Sequence, residues 1–373
     1  MGVKNLMKWI EKFAPDAIRN VPIEQLLGRT IAIDASMQIY QFLVAIRHMG
    51  NSLVDADGNT TSHLSGLLSR TLYFIQAGIR PVYVFDGKPP EMKSGELQKR
   101  AERRQEAEKS LEEAIEKGDQ EEIDRFTRRT VKLDPQHVEE CKKLLTLMGI
   151  PFVQAPCEAE AECAALCRAR IVDATATEDM DALAHATPIL LRHLTHKKKK
   201  ADDDDSVIEI NFSKVLEDSG LNREQFVDFC ILCGCDYCDS IKNIGSTRAY
   251  ELIQQYGSIE EILKNIDQTK YPVPEDFDYV SARELFFNHE VDTNYTKFTI
   301  KKPDEEGLKQ FLVEEKGFSP SRVDQTILKL SKNKSGGQQK RMDSYFSAFT
   351  VKKAGKSDEK SKPGKKPPTK SKK

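Results

Sequence analysis

Four short apolar runs interrupt a largely polar chain: residues 30–34 (TIAID), 81–86 (PVYVFD), 171–177 (IVDATAT) and 188–192 (PILLR). Each is β-branched or aliphatic, too short for a helix, and followed by a turn or by helical periodicity. Each is therefore predicted to be a buried parallel strand. Amphipathic stretches at 65–76, 135–148 and 158–168 lie between them. This alternation predicts an α/β fold, with a mostly parallel central sheet flanked by helices and joined by right-handed crossovers.

Residues 95–132 follow another rule. They are almost continuously charged, rich in Glu, Lys, Arg, Gln and Ala, and poor in strand formers. One or two long solvated helices, broken near Gly118 and Asp119, are predicted to project from the sheet. Residues 196–205 (HKKKKADDDD) carry opposed charge blocks and no apolar side chain to bury beyond one alanine, so a mobile loop is expected. Beyond about residue 332 the composition shifts to Lys, Ser, Gly and Pro, and a disordered tail is expected.

Composition narrows the picture. The chain has 373 residues, 31% of them charged, and a formal net charge of −2. That near-neutral total hides an asymmetry: residues 350–373 carry +8 and the remainder −10. An acidic body argues against binding nucleic acid by bulk charge, but permits local basic patches around an acidic metal site. No apolar run approaches the roughly 20 residues of a membrane-spanning helix. The N-terminus lacks a signal-peptide core, so an intracellular protein with mostly reduced thiols is expected.

Strand ends focus the chemistry. In an open parallel sheet, ligands bind beyond the carboxyl ends of the strands. Asp34 and Asp86 end the first two runs, and Asp179 and Asp181 follow the third. Glu158 and Glu160 sit at the start of a helical pattern. Inside a helix they would point about 200° apart, but at its N-terminus both can face one site. Asp236 follows the helical run 224–234. A strand-end Asp can equally be a helix cap, and a first-turn Glu can simply complement the dipole. Together, however, so many carboxylates need counter-charge. All-oxygen donors favour Mg²⁺, with Mn²⁺ as a substitute. Two such ions about 4 Å apart would activate water and stabilise the leaving oxygen of a phosphodiester.

Basic and aromatic residues flank these acids. Lys93, Arg100 and Arg104 recur at helical spacing, with Lys99 and Arg103 on an adjacent face. This stripe suits a phosphate, though a solvated helix face would look the same. Tyr40 follows Asp34 on a helical segment, where aromatic residues usually serve the core. Residues 241–249 (IKNIGSTRA) place Gly245 in a turn that opens a helix and exposes N–H groups to a phosphate. Cys230, Cys233, Cys235 and Cys238 have metal-site spacing. The first two fall in an amphipathic helix, and buried free thiols are the preferred reading.

These stretches resemble the flap endonucleases, the structure-specific five-prime nucleases of DNA replication and repair. The resemblance is carried by 33–36 (IDAS), 81–90 (PVYVFDGKPP), 93–97 (KSGEL), 147–151 (LMGIP), 158–161 (EAEA), 176–181 (ATEDMD), 192–195 (RHLT), 225–237, 271–275 (YPVPE) and 330–332 (LSK). It runs over about nine-tenths of the chain, in order.

The resemblance implies a two-metal hydrolase in which Asp34, Asp86, Glu158 and Glu160 hold one Mg²⁺ and Asp179, Asp181 and Asp236 the other. It implies catalytic roles for Lys93 and Arg100. It implies DNA contacts at Gly2, Tyr40 (stacked on a base), Arg47, Arg70, Arg103, Arg104, Glu158, Gly234, Asp236 and Gly245. It divides the chain into a nuclease region at 1–105, a helical arch at 106–135, and an internal nuclease region at 136–256 with a helix-two-turn-helix element. A C-terminal core part at 257–332 and the tail at 333–373 follow. The usual turn pattern is altered here by Asn243, Ser246 and Thr247. Asn tolerates the left-handed conformation and Ser can cap the helix, but a positive charge is lost. The family binds no thiolate metal at the cysteines.

In the tail, Gln339, Met342, Tyr345 and Phe346 resemble a sliding-clamp-binding motif, implying the clamp PCNA as a partner beside flap DNA. A monomer in the nucleus, and also in mitochondria, is expected, with no membrane association. Sister nucleases for bubbles or Holliday junctions, and a silent adaptor on the same fold, are the rival readings. The compact spacing from Asp86 to Glu158 and the full acid set weigh against them.

Overall fold

A computed structural model describes residues 2–47, 61–194 and 206–332 of the chain. Seven strands form one mixed sheet: β1 (Ile18–Pro22), β2 (Thr30–Asp34), β3 (Arg80–Phe85), β4 (Phe152–Gln154), β5 (Ala174–Ala176), β6 (Ile189–Arg192) and β7 (Ser206–Asn211). Their order is β1-β7-β6-β5-β2-β3-β4, parallel from β6 to β4 and antiparallel at β6-β7 and β7-β1. After β2 the chain builds outward through β3 and β4, then returns to build β5 and β6 on the other side. The switch point lies between β2 and β5, where a crevice opens at the carboxyl ends.

Alternate residues of each strand serve opposite faces. Ile31, Ile33, Tyr83 and Phe85 enter one core, covered by helices Ala35–Arg47, Ser62–Gln76, Pro135–Met148 and Pro320–Lys332. Ala32, Val82 and Val84 face helix Ala159–Arg168 on the other side. Near β6 and β7 that second face is covered by a cluster built on Trp9, Phe226, Phe229 and Phe286. Ion pairs on the buried Asp228 and the more exposed Glu260 tie this cluster's helices together: Arg283 Nε donates to Asp228 Oδ1 at 2.6 Å, and its Nη1 donates to Glu260 Oε1 at 2.8 Å.

The structure adjusts several expectations. The run 171–177 is a strand only over Ala174–Ala176, because Asp173 turns to accept the Thr30 amide at 2.6 Å. Strands β1, β4 and β7 carry no long apolar run and escape pattern recognition. The charged segment forms two helices, Ser94–Lys117 and Gln120–Arg129, broken by Gly118 in the left-handed region at φ 68° and capped anew by Asp119. Helix Gln120–Arg129 packs back on helix Ala35–Arg47. The loop 196–205, the tail motif 339–346 and the side chain of Arg47 lie outside the described residues.

Candidate active site

Asp34 is the last residue of β2, one step past the Ile33–Ala176 pairing with β5, so it stands at the switch point. It caps the following helix: the Met37 amide donates to Oδ1 at 2.9 Å. Thr177, directly after β5, donates its hydroxyl to Asp34 Oδ2 at 3.0 Å across the crevice and accepts the Asp179 amide at 3.1 Å. Asp179 Oδ1 in turn accepts the Asp181 amide at 3.1 Å. Asp86 follows β3 and accepts the Ala159 amide at 2.8 Å, which fixes the start of helix Ala159–Arg168. Glu158 occupies that helix's N-cap position and Glu160 its first turn; Glu160 lines the crevice, while Glu158 touches it only through Lys93. Capping and ligation are compatible here, since a carboxylate offers about four lone-pair sites.

Two cations join the acids. Lys93, at the end of a short 3₁₀ turn before helix Ser94–Lys117, hydrogen-bonds Glu158 Oε1 and stands 3.5 Å from Glu160 Oε1 and 3.3 Å from Asp236 Oδ2. Arg100 Nη2 donates to Asp236 Oδ2 at 2.6 Å. Of the other stripe residues, Arg103 pairs with Glu96 and Lys99 with Asp239, while Arg104 lines the same cleft. That cleft, of about 1370 Å³, lies against helix Ser94–Lys117. Asp34, Asp86, Glu160, Asp179 and Asp236 line it, and so do Gly2, Tyr40 and Gly234. Tyr40 also packs on the core, so its ring borders both the core and the cleft.

Arg70 is half-buried on helix Ser62–Gln76 and does not line the cleft. Gly245 is the N-cap of helix Ser246–Tyr256. Ser246 is the first helical residue, so it does not cap the helix as expected. Asn243 does adopt the left-handed region, at φ 65°, and its amide donates to the Lys270 carbonyl at 3.0 Å.

The N-terminal segment enters the same site. The Val3 amide donates to Asp181 Oδ1 at 2.6 Å, and a Cβ on Gly2 would fall 2.0 Å from Asp179 Oδ1. Only glycine fits that approach. Thr177 and Tyr237 do not stand out in the sequence. Thr177 carries only the signal of a polar strand end. Tyr237, whose hydroxyl donates to Glu158 Oε2 at 2.5 Å, shows itself only through tertiary approach. Cys230 and Cys233 are buried; Cys235 and Cys238 are half-buried, with sulfurs 3.9 Å apart.

Burial and mutual repulsion favour the protonated forms of Asp34, Glu160, Asp179 and Asp181. Burial first, then Asp86, pushes Asp34 up to about 7. Burial also raises Asp179, and burial and then Asp179 raise Asp181. Burial raises Glu160 despite the opposing pull of Lys93. Lys93 itself is held charged: burial disfavours its ammonium, but Glu160 and Glu158 outweigh it. A cavity of raised carboxyls with oxygen donors fits a hard divalent cation, which would displace the protons.

A pH test follows from the signs. Raised carboxyls stabilise the metal-free fold at low pH, and that contribution is lost as pH rises from about 4 through about 7. The increase in Tm caused by Mg²⁺ should therefore be larger at pH 8 than at pH 6, measured by thermal denaturation. Equal increases would contradict a shared cation pocket.

Residues 1–107 match the XPG N-terminal domain and residues 149–236 the XPG I-region. Over 348 residues the chain is 56% identical to flap endonuclease 1 of Osmerus mordax, spanning 93% of this chain and 91% of that protein. The fold superposes on flap endonuclease-1 from Methanococcus jannaschii with a TM-score of 0.67 at 34% identity, over 89% of this chain and 98% of that one. A catalytic core of Rad2 in complex with DNA substrate matches with a TM-score of 0.69 at 27% identity, over 88% of this chain and 100% of that one. These matches define the class, the XPG-type nucleases. Within it, the chain belongs to the flap endonuclease family.

Proposed function

We propose that this structure-specific flap endonuclease hydrolyses the phosphodiester at the junction of a five-prime flap and duplex DNA, using two Mg²⁺. The carrying observation is the meeting of acids from both sides of the switch point with Lys93 and Arg100 in one cleft. Asp34, Asp86, Glu158 and Glu160 would hold one ion, and Asp179, Asp181 and Asp236 the other. Bound divalent ions supply an activated water and take up charge on the leaving oxygen. The chain's own groups do the rest. Lys93 and Arg100 place positive charge where the scissile phosphate gains negative charge. Arg103, Arg104, Arg129 and Lys132 line the cleft with Leu97 and Phe126, a mixture of cations and apolar faces that suits a single strand. Tyr40 offers a ring for base stacking, and Gly245 and its neighbours a backbone grip on the duplex.

In this reading the enzyme removes displaced flaps during Okazaki fragment maturation and long-patch base excision repair, in the nucleus and in mitochondria, and acts as a monomer. Five-prime exonuclease activity accompanies it. A labelled panel of flap, bubble, four-way and single-stranded substrates, with and without Mg²⁺, tests the assignment. Cleavage should require Mg²⁺ and favour the flap; preference for a bubble or four-way junction would move the chain to a sister activity.

The tail supplies the partner. Gln339, Met342, Tyr345 and Phe346 match what a clamp pocket takes: one hydrogen-bonding side chain and three apolar ones. Replacing Tyr345 and Phe346 together with alanine should remove stimulation by PCNA without altering basal cleavage. Undiminished stimulation of the double variant would disprove the clamp assignment.

A further inference from the structure

Glu158 has two sides. Oε1 meets Lys93 in the cleft, while Oε2 points into a separate polar cluster behind it. Two histidines are found there. His289, just past helix Tyr279–Phe287, places Nε2 3.4 Å from Glu158 Oε2. His185, after helix Asp181–Ala184, places Nε2 3.3 Å from the Tyr237 hydroxyl. The two imidazole rings meet edge to face at 5.1 Å. Phe286 walls the cluster, with its ring 5.2 Å from that of His185 and 4.9 Å from that of Tyr237.

His289 is anomalous. Its side chain is only 4% exposed, and its ring nitrogens have no well-aligned hydrogen bond, only the approach of Nε2 to Glu158 Oε2 at 3.4 Å and the nearby backbone of Leu285. Buried polar atoms are normally held by well-aligned hydrogen bonds, and a bound ion would give this ring the firm partner it lacks. One donor atom from each of Glu158, His185 and His289 lies within 4.8 Å of the others. Ligands on a tetrahedral zinc ion, at bonds of about 2.0–2.1 Å, stand roughly 3.3 Å apart. Side-chain rotation can close that gap without moving the backbone, and the Tyr237 hydroxyl or a water can close the fourth side.

We propose that Glu158, His185 and His289 form a further cation site for a zinc-class divalent ion, sharing Glu158 with the phosphodiesterase centre. Imidazole nitrogen selects such an ion, since Mg²⁺ keeps to oxygen donors and water. The aromatic wall excludes solvent and strengthens the binding. An ion seated there engages Glu158 Oε2, places two positive charges near the Lys93 ammonium, and weakens the bridge on Oε1. Zinc therefore inhibits cleavage by acting on Glu158 from behind. This effect on cleavage rests on the function proposed above; the binding of the ion does not.

The test uses the full chain in excess Mg²⁺, titrated with Zn²⁺ or with Co²⁺ as a visible probe. One equivalent should bind per chain, and X-ray absorption of the parent protein should show imidazole nitrogen among the atoms bonded to the metal. His289→Ala and His185→Gln should each weaken binding about tenfold or more, and the Zn²⁺ needed to halve cleavage should rise in parallel. Asp181→Asn, which removes a charge from the acidic centre and keeps its shape, should retain the site. Oxygen-only ligation in the parent protein overturns the proposal, whatever the folding of the variants. So does unchanged binding in a folded His289→Ala protein. If nitrogen-ligated zinc binds while no protein cleaves DNA, the nuclease assignment fails and this site stands.

Discussion

Asp181→Ala should slow flap cleavage by at least about a thousandfold and leave flap binding within a few-fold of the parent. Asp181 is 1% exposed, stands beside Asp179, and takes part in no contact with a basic residue among the described residues. Its negative charge is useful only to a cation. DNA is gripped by phosphate contacts from Lys and Arg, and losing one buried acid behind the cleft does not weaken those. The variant has a structural cost, because the Val3 amide loses its acceptor. An orphaned buried amide costs about 1–3 kcal/mol. Asp181→Asn separates the two effects: it keeps the acceptor and the shape but removes the charge. Both variants should be inactive in a single-turnover assay, and only the alanine form should lose stability. A variant cutting at the parental rate would remove Asp181 from the metal set.

Lys93→Ala should lower the cleavage rate by about a hundredfold to a thousandfold, the usual loss of one preorganised charge at a reacting phosphate. It should change the KM for flap DNA little. Stability gives an independent readout. Lys93 bridges Glu158, Glu160 and Asp236 with only 12% of its side chain exposed. Its removal strands carboxylates in a pocket that already disfavours charge, at a cost of roughly 3–5 kcal/mol in metal-free protein. Divalent ions bound at the same acids would supply that counter-charge. The loss in Tm should therefore shrink when Mg²⁺ is added. An equal loss with and without Mg²⁺ would mean that the ions lie elsewhere.

Sequence and structure agree most closely where burial is two-sided. The cores of β2, β3 and β6 are strongly apolar and are legible as strands. Strand β1 reads IRNVP, an edge strand with exposed Arg19 and Asn20, and β4 has three residues, so neither carries a periodic signal. Strand β7 hides a buried charge: Glu209 is taken up by Arg19 at 3.2 Å and Arg29 at 3.0 Å. The seven acids are legible because each sits at an element boundary, where local grammar is strong. Thr177, Tyr237, His185 and His289 are not. Their roles arise from approaches between residues such as Glu158 and Tyr237, 79 positions apart, and no window along the chain contains both.

That spread has a consequence for biosynthesis. The site draws on residues from Asp34 to Asp236, and its central link joins Thr177 to Asp34 across 143 positions. Such long loop closures come late in folding. A nascent chain still short of residue 236 lacks Asp236 and so holds an incomplete acid set. The acid set of the cleft is therefore complete only once synthesis has passed residue 236.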